Sequence, residues 1–367
     1  MLHDISHSQV TDNVQVQNAI TREVVKHFIG NPGAGDLVSA GALAENNYSI
    51  TYWIDIVCPT QRHGLYVKVP KGDLRGLVPS ILPIREVDQV MFKAEADSLR
   101  LLNEKWVTSD LHVYWITLCF ALPEYNAIVT KRVFGAEAFS IFRYLDIRRR
   151  FGFQNDFRKL DSSMARLGAA LGRFHQNSIV RKSEFLLRQE LSKYEYYCDE
   201  IAKHTRGNLP KIVMKKLRSL EDVAIPCEIA PTLKGLDIRN VLMDENEDLY
   251  LLDPGKTKYT YREADLARFL MTYRILYWGS WLMLVFRQPS SMAEETFLRS
   301  YYFNSREYPK LLFKLVLLKE QLKHWHNAID SLQRRPWPSL LKRLVKSVYV
   351  DLYFKRQILA QLRTLEQ

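Results

Sequence analysis

The segment Pro231–Gly255, PTLKGLDIRNVLMDENEDLYLLDPG, constrains this chain more than any other. A polar loop ends at Asn240, two short apolar strands joined by an acidic turn follow, and Asp253 precedes a Pro-Gly corner. A tight turn between the strands predicts that Asn240 and Asp253 lie side by side at one end of a hairpin. Two oxygen ligands at that spacing suit Mg²⁺, which usually takes one or two protein ligands and leaves its other positions to water and phosphate. The same residues also fit an ordinary acidic hairpin.

The order of loop, Asn, apolar strand, acidic turn, strand and Asp-x-Gly resembles the catalytic and metal-binding segments of the protein-kinase-like superfamily. It is most similar to the branch of the aminoglycoside phosphotransferases and the bacterial lipopolysaccharide kinases. A second match is the sequence Asp-Leu-Ala-Arg at 265–268, which opens an apolar helix shortly after Asp253. The resemblance covers roughly residues 37–284. It implies that Asn240 and Asp253 bind Mg²⁺, and that Asp265 is structural and holds the catalytic loop.

The loop before Asn240 departs from the family's pattern. That pattern reads His-Gly-Asp, four residues, Asn, and its first three positions are held here by Leu233, Lys234 and Gly235. The acid in this loop is Asp237, three residues before Asn240 instead of five. The general base is therefore either moved to Asp237 or missing. A third interpretation is that Asp237 is a solvated loop acid paired with Arg239.

Two residues upstream match the phosphate-binding pair of the family. The strand at 64–71, GLYVKVPK, carries Lys68 in its middle, like the strand whose lysine reaches the α- and β-phosphates. A helix at 89–102 has one apolar face, and Glu95 holds the place of the glutamate that pairs with this lysine. Without the resemblance, Lys68 and Glu95 would both be interpreted as solvated side chains. With it, Lys68, Glu95, Asn240 and Asp253 form an ATP site.

Other matches are weaker. The resemblance expects a hairpin that covers the phosphates at 37–57, but Gly41 is the sole glycine between its strands. It expects the hinge that contacts adenine through the backbone at 129–135. His175 ends a helix that resembles the one before the catalytic loop, and we interpret it as a capping or solvated residue rather than a catalyst.

Composition bounds the class of protein. With 47% hydrophobic and 12% aromatic residues, the 367-residue chain predicts a well-packed globular protein. Its four cysteines lack the spacing of a metal site, which favours reduced thiols inside the cell. The N-terminal residues do not form a signal region, and no uncharged run is long enough to span a membrane. We therefore expect a cytoplasmic location.

The net charge of +11 is concentrated near the end of the chain. Residues 306–367 hold 13 Lys and Arg and 5 Asp and Glu, which is a net charge of +8. Such a surface predicts an anionic partner, and no nucleic-acid-binding signature accompanies it. Two basic segments of helical periodicity in this region favour either peripheral contact with an anionic membrane, at the inner face of the cell membrane, or packing on the preceding helices.

We therefore expect an α/β (α+β) protein with a bilobal protein-kinase-like fold. Its predicted parts are an N-terminal extension (1–35), an antiparallel-sheet N-lobe (36–130), a helical C-lobe (131–300) and a basic helical appendage (301–367). The expected function is ATP- and Mg²⁺-dependent phosphoryl transfer to a hydroxyl of a small molecule or sugar, including a cell-surface glycan or its lipid-linked precursor. Gly235 leaves open a nucleotide-binding pseudokinase with a scaffold or regulatory role. An aminoglycoside-inactivating enzyme is a further alternative, against which the basic charge argues.

Overall fold

The structure, a computed structural model, describes residues 7–33, 35–46, 48–72, 81–278, 280, 288–303 and 310–365. The side chains of 7–12 and 154–157 are not described. The described chain forms two compact units. The first unit contains Met1–Glu137, Leu233–Gly235 and Asn240–Thr257, and the second contains Ala138–Thr232, Leu236–Arg239 and Lys258–Gln367. The linear division at 35, 130 and 300 stays a prediction.

Strands and helices alternate along the first part of the chain, and helices dominate the second. The strands are β1 (Leu37–Ala40), β2 (Ala44–Asn46), β3 (Ser49–Val57), β4 (Arg62–Pro70), β5 (Val113–Trp115), β6 (Leu118–Leu122), β7 (Ala127–Lys131), β8 (Ala136–Glu137), β9 (Arg181–Leu186), β10 (Ala224–Leu233), β11 (Val241–Met243), β12 (Leu249–Leu251) and β13 (Thr257–Tyr261). The α-helices are α1 (His7–Ile29), α2 (Glu86–Lys105), α3 (Ala138–Arg150), α4 (Gln154–Asn177), α5 (Leu187–His204), α6 (Leu209–Arg218), α7 (Glu263–Arg274), α8 (Ser291–Tyr301), α9 (Lys310–Arg334), α10 (Ser339–Val345) and α11 (Leu352–Thr364). A π-helical turn, Lys346–Asp351, joins the last two helices.

The first unit is built on an antiparallel sheet of order β1-β3-β4-β7-β6, with β2 also paired to β3. Strands β3 and β4 pair over nine residues, from Ser49 opposite Pro70 to Val57 opposite Arg62. Alternating apolar residues point into a core that includes Ile54 and Val67. Helix α1 packs on this core through Ile20 and Val24, so the N-terminal segment, for which the sequence indicated no role, closes one face of the sheet.

A second, smaller sheet in the first unit has the order β5-β12-β11-β8. Its hairpin β11–β12 pairs Val241 with Leu251 and Met243 with Leu249. The turn between them is closed by Asp244, whose carboxylate accepts the backbone N–H groups of Asn246 and Asp248 at 2.9 and 2.8 Å. This is the hairpin that the sequence predicts, because its acidic residues form the turn and its apolar residues form the strands.

The second unit combines helices with a sheet of order β13-β10-β9. The sequence predicts helix at 136–150 and 184–204, but 136–137 and 184–186 lie in strands β8 and β9. Strand β9 forms because β10 pairs along it, from Ala224 opposite Leu186 to Ile229 opposite Arg181. Pro226 and Pro231 argue against a strand at β10, and long-range pairing overrides that local signal. Within the described residues, no helix combines the length and apolar character that a membrane span requires.

Candidate functional site

Lys68, Glu95 and Asp253 converge in the first unit and are called the Lys68 cluster below. Lys68 lies in the middle of β4, between its partners Thr51 in β3 and Ile128 in β7. Its ammonium donates to Glu95 Oε1 at 2.7 Å and to Asp253 Oδ1 at 2.9 Å. An ammonium has three N–H donors, so one donor remains for a further anionic ligand.

Glu95 is presented by the buried face of α2. Phe92, Ala96 and Leu99 on the same helix pack into the core, which fixes the helix against the sheet and leaves Glu95 only 6% exposed. Burial raises the pKa of Glu95 against the opposing effect of Lys68. Burial would lower the pKa of Lys68, but the charges of Glu95 and Asp253 outweigh it and raise that pKa. Lys68 is therefore a charged ammonium at neutral pH.

Asp253 follows β12 in a left-handed conformation, with φ of +49°, and its side chain is half exposed. The next turn is held by a hydrogen bond of 2.9 Å from the Gly235 N–H to the Pro254 carbonyl. Thr257 adds a link to α2, because its N–H and hydroxyl both contact Ser98 Oγ, at 3.0 and 2.8 Å. Ser98 was missed in the sequence; its only signal is a polar residue on the apolar face of a helix, three residues after Glu95.

Asn240 directly precedes β11, at the same end of the hairpin at which Asp253 follows β12. Its backbone carbonyl accepts the Leu252 N–H at 2.7 Å, which places the residue after Leu252 beside it. Its side-chain Nδ2 donates to the Gly235 carbonyl at 2.9 Å. Within the described residues, Asn240 Oδ1 and Asp253 Oδ2 make no hydrogen bond, so both oxygens are available to a cation. The predicted pair is thus brought together by the hairpin.

These two oxygens fit Mg²⁺ by the chemistry of the donors. Amide and carboxylate oxygens are the ligands that Mg²⁺ prefers, and it is commonly held by few protein groups. In the described part of the chain, no group of three or more His, Cys, Asp and Glu side chains could hold a metal ion. Mg²⁺ at Asn240 and Asp253 would take its remaining ligands from water and phosphate, as it usually does.

Gly235, the residue in place of the usual catalytic aspartate, is fixed by close packing. A Cβ atom added at this position would lie 1.8 Å from the Asp253 carbonyl oxygen and 2.8 Å from the Pro254 carbonyl carbon. Real Cβ atoms do not approach other atoms so closely, so any side chain at 235 would displace the backbone that carries Asp253. The departure from the family's pattern is therefore built into the turn that positions Asp253.

Asp237 belongs to the second unit and is paired with Arg239. Asp237 Oδ1 accepts the backbone N–H and the Nε–H of Arg239, both at 2.9 Å, and Oδ2 accepts from the same guanidinium. The Asp237 side chain is 15% exposed. The ion pair expected from the sequence is present, but the acid is largely buried rather than solvated. The loop is also held by Thr272 in α7, whose hydroxyl accepts the Ile238 N–H at 3.1 Å.

His324 of α9 faces the same ion pair. Burial lowers its pKa to about 4, helped by Lys323 and Arg239 and opposed by Glu320 and Asp237. The imidazole is therefore neutral at pH 7. No local pattern in the sequence marks His324, because it lies far along the chain in a helix whose periodicity indicates packing alone.

The structure also shows the contacts of His175 and Gly41, two residues discussed above from the sequence. His175 is fully buried: Nδ1 lies 2.7 Å from the Tyr301 hydroxyl and Nε2 lies 3.3 Å from Asp265 Oδ2, so its interpretation as a capping or solvated residue is wrong. Gly41 donates its N–H to the Trp53 carbonyl at 2.9 Å, and a Cβ there would lie 2.2 Å from the Trp53 ring. Gly41, which lies between β1 and β2 along the chain, therefore packs against Trp53 of β3.

A cavity of about 870 Å³ opens beside residues 131–135, which form part of the predicted hinge at 129–135. Its walls include Tyr114 and Tyr250, whose rings stack at 5.3 Å, together with Phe134. None of the residues that line it belongs to the Lys68 cluster, and Asn240 does not line it either. The cavity is therefore separate from the candidate metal ligands.

Comparison with known proteins gives matches in structure but not in sequence. No family model and no curated protein sequence matches the chain. A crystal structure of glucosamine kinase superposes with a TM-score of 0.50 and 11% identity, over 94% of this chain and 85% of that one. Glucosamine kinase in complex with glucosamine, ADP and inorganic phosphate gives the same TM-score and identity, over 91% and 82%. Choline kinase LicA from Streptococcus pneumoniae is 15% identical, with a TM-score of 0.47 over 95% and 99%.

At 11% identity, the likeness to glucosamine kinase is a likeness of fold. The mixed α/β fold predicted from the sequence is thereby confirmed, and it is a fold that this chain shares with glucosamine kinase.

Proposed function

We propose that this protein is a phosphotransferase that uses ATP and Mg²⁺ to phosphorylate a hydroxyl group of a small molecule or sugar. The observation that carries the proposal is the Lys68 cluster, in which one ammonium contacts Glu95 at 2.7 Å and Asp253 at 2.9 Å. A phosphate-binding lysine needs such support, because a buried ammonium without carboxylates would lose its proton. Phosphoryl transfer depends mainly on positioning and on stabilisation of charge, which this cluster is built to supply.

Each residue then has a defined role. Glu95 holds Lys68 in place, and the third N–H of Lys68 donates to a phosphate oxygen of ATP. Asn240 and Asp253 hold Mg²⁺ through the two oxygens that make no hydrogen bond within the described residues. When bound, Mg²⁺ neutralises charge on the phosphate oxygens. Asp237 takes the proton of the acceptor hydroxyl, since the packing at Gly235 excludes a carboxylate there.

The acceptor class that we propose is a sugar hydroxyl of a cell-surface glycan or its lipid-linked precursor, as in lipopolysaccharide biosynthesis. Its support is the net charge of +11, which suits an anionic, phosphorylated acceptor, together with the resemblance to sugar and aminoglycoside kinases. The enzyme would act in the cytoplasm, where ATP is present, and at the inner face of the membrane when the acceptor is lipid-linked.

Gly235 favours one alternative, a nucleotide-binding pseudokinase with a scaffold or regulatory role. Asp237 is already bound by Arg239 through both carboxylate oxygens, so an acceptor hydroxyl would have to compete with the guanidinium for this carboxylate. A pseudokinase would keep the Lys68 cluster and bind ATP without turnover.

Two measurements on the purified full chain separate these functions. Millimolar ATP with Mg²⁺ should raise the melting temperature, because a ligand that binds the native state alone stabilises it. Incubation with γ-labelled ATP, Mg²⁺ and a cell extract should then transfer label to a small molecule or glycan. Stabilisation without transfer to any acceptor supports the pseudokinase, and an unchanged melting curve contradicts both functions.

A further inference from the structure

The C-terminal helix of the second unit, from Ser339 through the π-helical turn to Thr364, is firmly attached by its inner face. Phe354, Ile358 and Leu362 are buried, and the Phe354 ring stacks on Trp325 of α9 at 6.3 Å. The Trp325 indole N–H donates to Asp351 at 3.1 Å. One face of this helix is therefore enough to hold it against the rest of the second unit.

The outer face of the same helix is also apolar. Leu340, Leu344, Val348 and Leu352 follow one another at steps of four residues and are 74%, 55%, 42% and 40% exposed. Leu341 and Leu359 flank this outer stripe and are exposed as well. A surface helix normally turns polar residues outward once its apolar face is buried. Contiguous exposed apolar residues of this kind indicate a surface that contacts something else.

Basic residues surround the outer stripe. Between Arg334 and Ala360 the chain has seven Lys and Arg residues and one acid, Asp351. That acid is buried; it accepts from Trp325 at 3.1 Å and pairs with Lys346 at 3.5 Å, so it offsets one of the seven positive charges. Arg343 and Arg356 are exposed and lie beside or within the stripe. At its N-terminal end, the Arg335 guanidinium lies 4.8 Å from the centre of the Trp337 ring, and Trp is enriched at membrane–water interfaces.

An exposed apolar stripe surrounded by basic residues favours one kind of binding partner over the others. A second copy of the chain would bring two strongly basic faces together, which like-charge repulsion opposes. Nucleic acid would satisfy the charges but would leave exposed leucines without a partner. An anionic lipid surface satisfies both, since leucines enter the boundary between headgroups and acyl chains while Lys and Arg contact the headgroups.

We propose that the outer stripe Leu340–Leu344–Val348–Leu352, with its flanking Arg343 and Arg356, docks the protein on an anionic phospholipid bilayer. The helix lies in the plane of the interface and does not cross the membrane. This inference goes beyond the proposed function, because it depends on the second unit alone and requires neither nucleotide nor turnover.

Vesicle flotation without nucleotide tests the docking surface. The full chain should float with vesicles of phosphatidylcholine and phosphatidylglycerol and not with phosphatidylcholine alone. Binding should weaken steeply between about 10 mM and about 1 M salt, as the Debye length falls from ~30 Å to ~3 Å. Equal recovery with both vesicle types, or no recovery at low salt, would overturn the proposal.

Matched variants assign the surface. Arg343→Glu with Arg356→Glu should weaken binding by at least about 25-fold, from about fivefold per lost cation. Lys211→Glu with Lys215→Glu changes net charge equally on the exposed side of α6 and should have little effect. Leu340→Ser with Leu344→Ser should weaken binding at least about tenfold, and Val107→Ser, also at an exposed position, should not.

All variants change exposed side chains, so each should keep the melting temperature of the wild type. If the arginine substitutions and the lysine substitutions weaken vesicle binding equally, the vesicles are attracted by the net charge of the protein. The assignment of the outer stripe as the docking surface would then be wrong. A chain that is oligomeric in solution and becomes monomeric with Leu340→Ser and Leu344→Ser would identify a second copy as the occupant and overturn the proposal.

Discussion

The Lys68 cluster of the first unit and the loop at 236–239 of the second unit are held in different ways. Lys68, Glu95 and Asp253 come from a strand, a helix and the end of a hairpin, and their charges contact one another. In the loop, the carboxylate of Asp237 contacts Arg239, two residues away. The cluster matches the pattern that the sequence resemblance implies, and the loop does not. Regular elements packed on one another fix the cluster, whereas the position of a loop acid depends on local packing.

The largest expected effect tests whether the loop supplies the base. Asp237→Asn removes a proton acceptor and keeps the shape of the side chain, so turnover should fall by about 10²- to 10⁴-fold, the usual contribution of a general base. The ATP-dependent rise in melting temperature should remain. Asp330→Asn is the control, because Asp330 is also paired with an arginine, Arg334, and lies in the same unit. Full activity of Asp237→Asn would exclude it as the base.

The next prediction tests the cluster. Asp253→Asn removes the charge that contacts Lys68 and one of the two metal ligands, so kcat/KM should fall by about 10²- to 10³-fold, as for loss of one preorganised electrostatic group. The Mg²⁺-dependent part of the thermal shift with ATP should disappear. Asp97→Asn, on the exposed face of α2, should change neither quantity. A variant that retains its Mg²⁺ response would show that the metal is held elsewhere.

A third substitution tests the close packing of Gly235 against the backbone of Asp253. Gly235→Ala places a methyl group 1.8 Å from the Asp253 carbonyl oxygen, so the backbone must move. We expect a loss of about 1–3 kcal/mol in the free energy of unfolding, typical of overpacking, together with loss of the Mg²⁺ response. Gly33→Ala is the matched control, since its Cβ would meet only ordinary contacts. Denaturant unfolding measures both, and equal stability of the two variants would contradict the packing argument.

The smallest effect concerns pH. The pKa of His324 is lowered to about 4 in the folded chain from an ordinary value of 6.5. Above pH 6.5 the imidazole is neutral in both states and contributes nothing to the pH dependence. Between pH 6.5 and 4 the unfolded chain binds the proton first, so the free energy of unfolding falls as pH falls, by roughly 1–2 kcal/mol for a partly exposed group.

His324→Gln should remove that contribution. Its free energy of unfolding should fall less than that of the wild type between pH 7 and pH 4.5, with a difference that vanishes at neutral pH. Denaturant titrations at the two pH values give both quantities. If the free energy of unfolding of the two proteins falls equally with pH, the pKa of His324 is not lowered in the folded chain.

Several features could be predicted because they depend on neighbours in the chain. The hairpin at 241–251 follows from apolar runs around an acidic turn, and α2 follows from its apolar spacing, although the structure extends it to Glu86–Lys105. The order of these elements was sufficient to identify the fold. The amphipathic spacing at 14–28 predicts a helix, which the structure extends to His7–Ile29, but its burial against the sheet could not be predicted because the partner strands lie further along the chain.

The sequence by itself determined which residues carry charge and in what order they come: Lys68, Glu95, Asn240 and Asp253 on elements whose periodicity is local. Only the tertiary structure decided which of them touch, because contacts such as that of Lys68 with Asp253 join residues 185 positions apart. It also decided that Gly235 cannot carry a side chain and that His175 is buried, since both depend on backbone and rings from distant segments. Local periodicity specifies a helix or a strand, whereas steric exclusion and burial depend on segments that come together only when the chain folds.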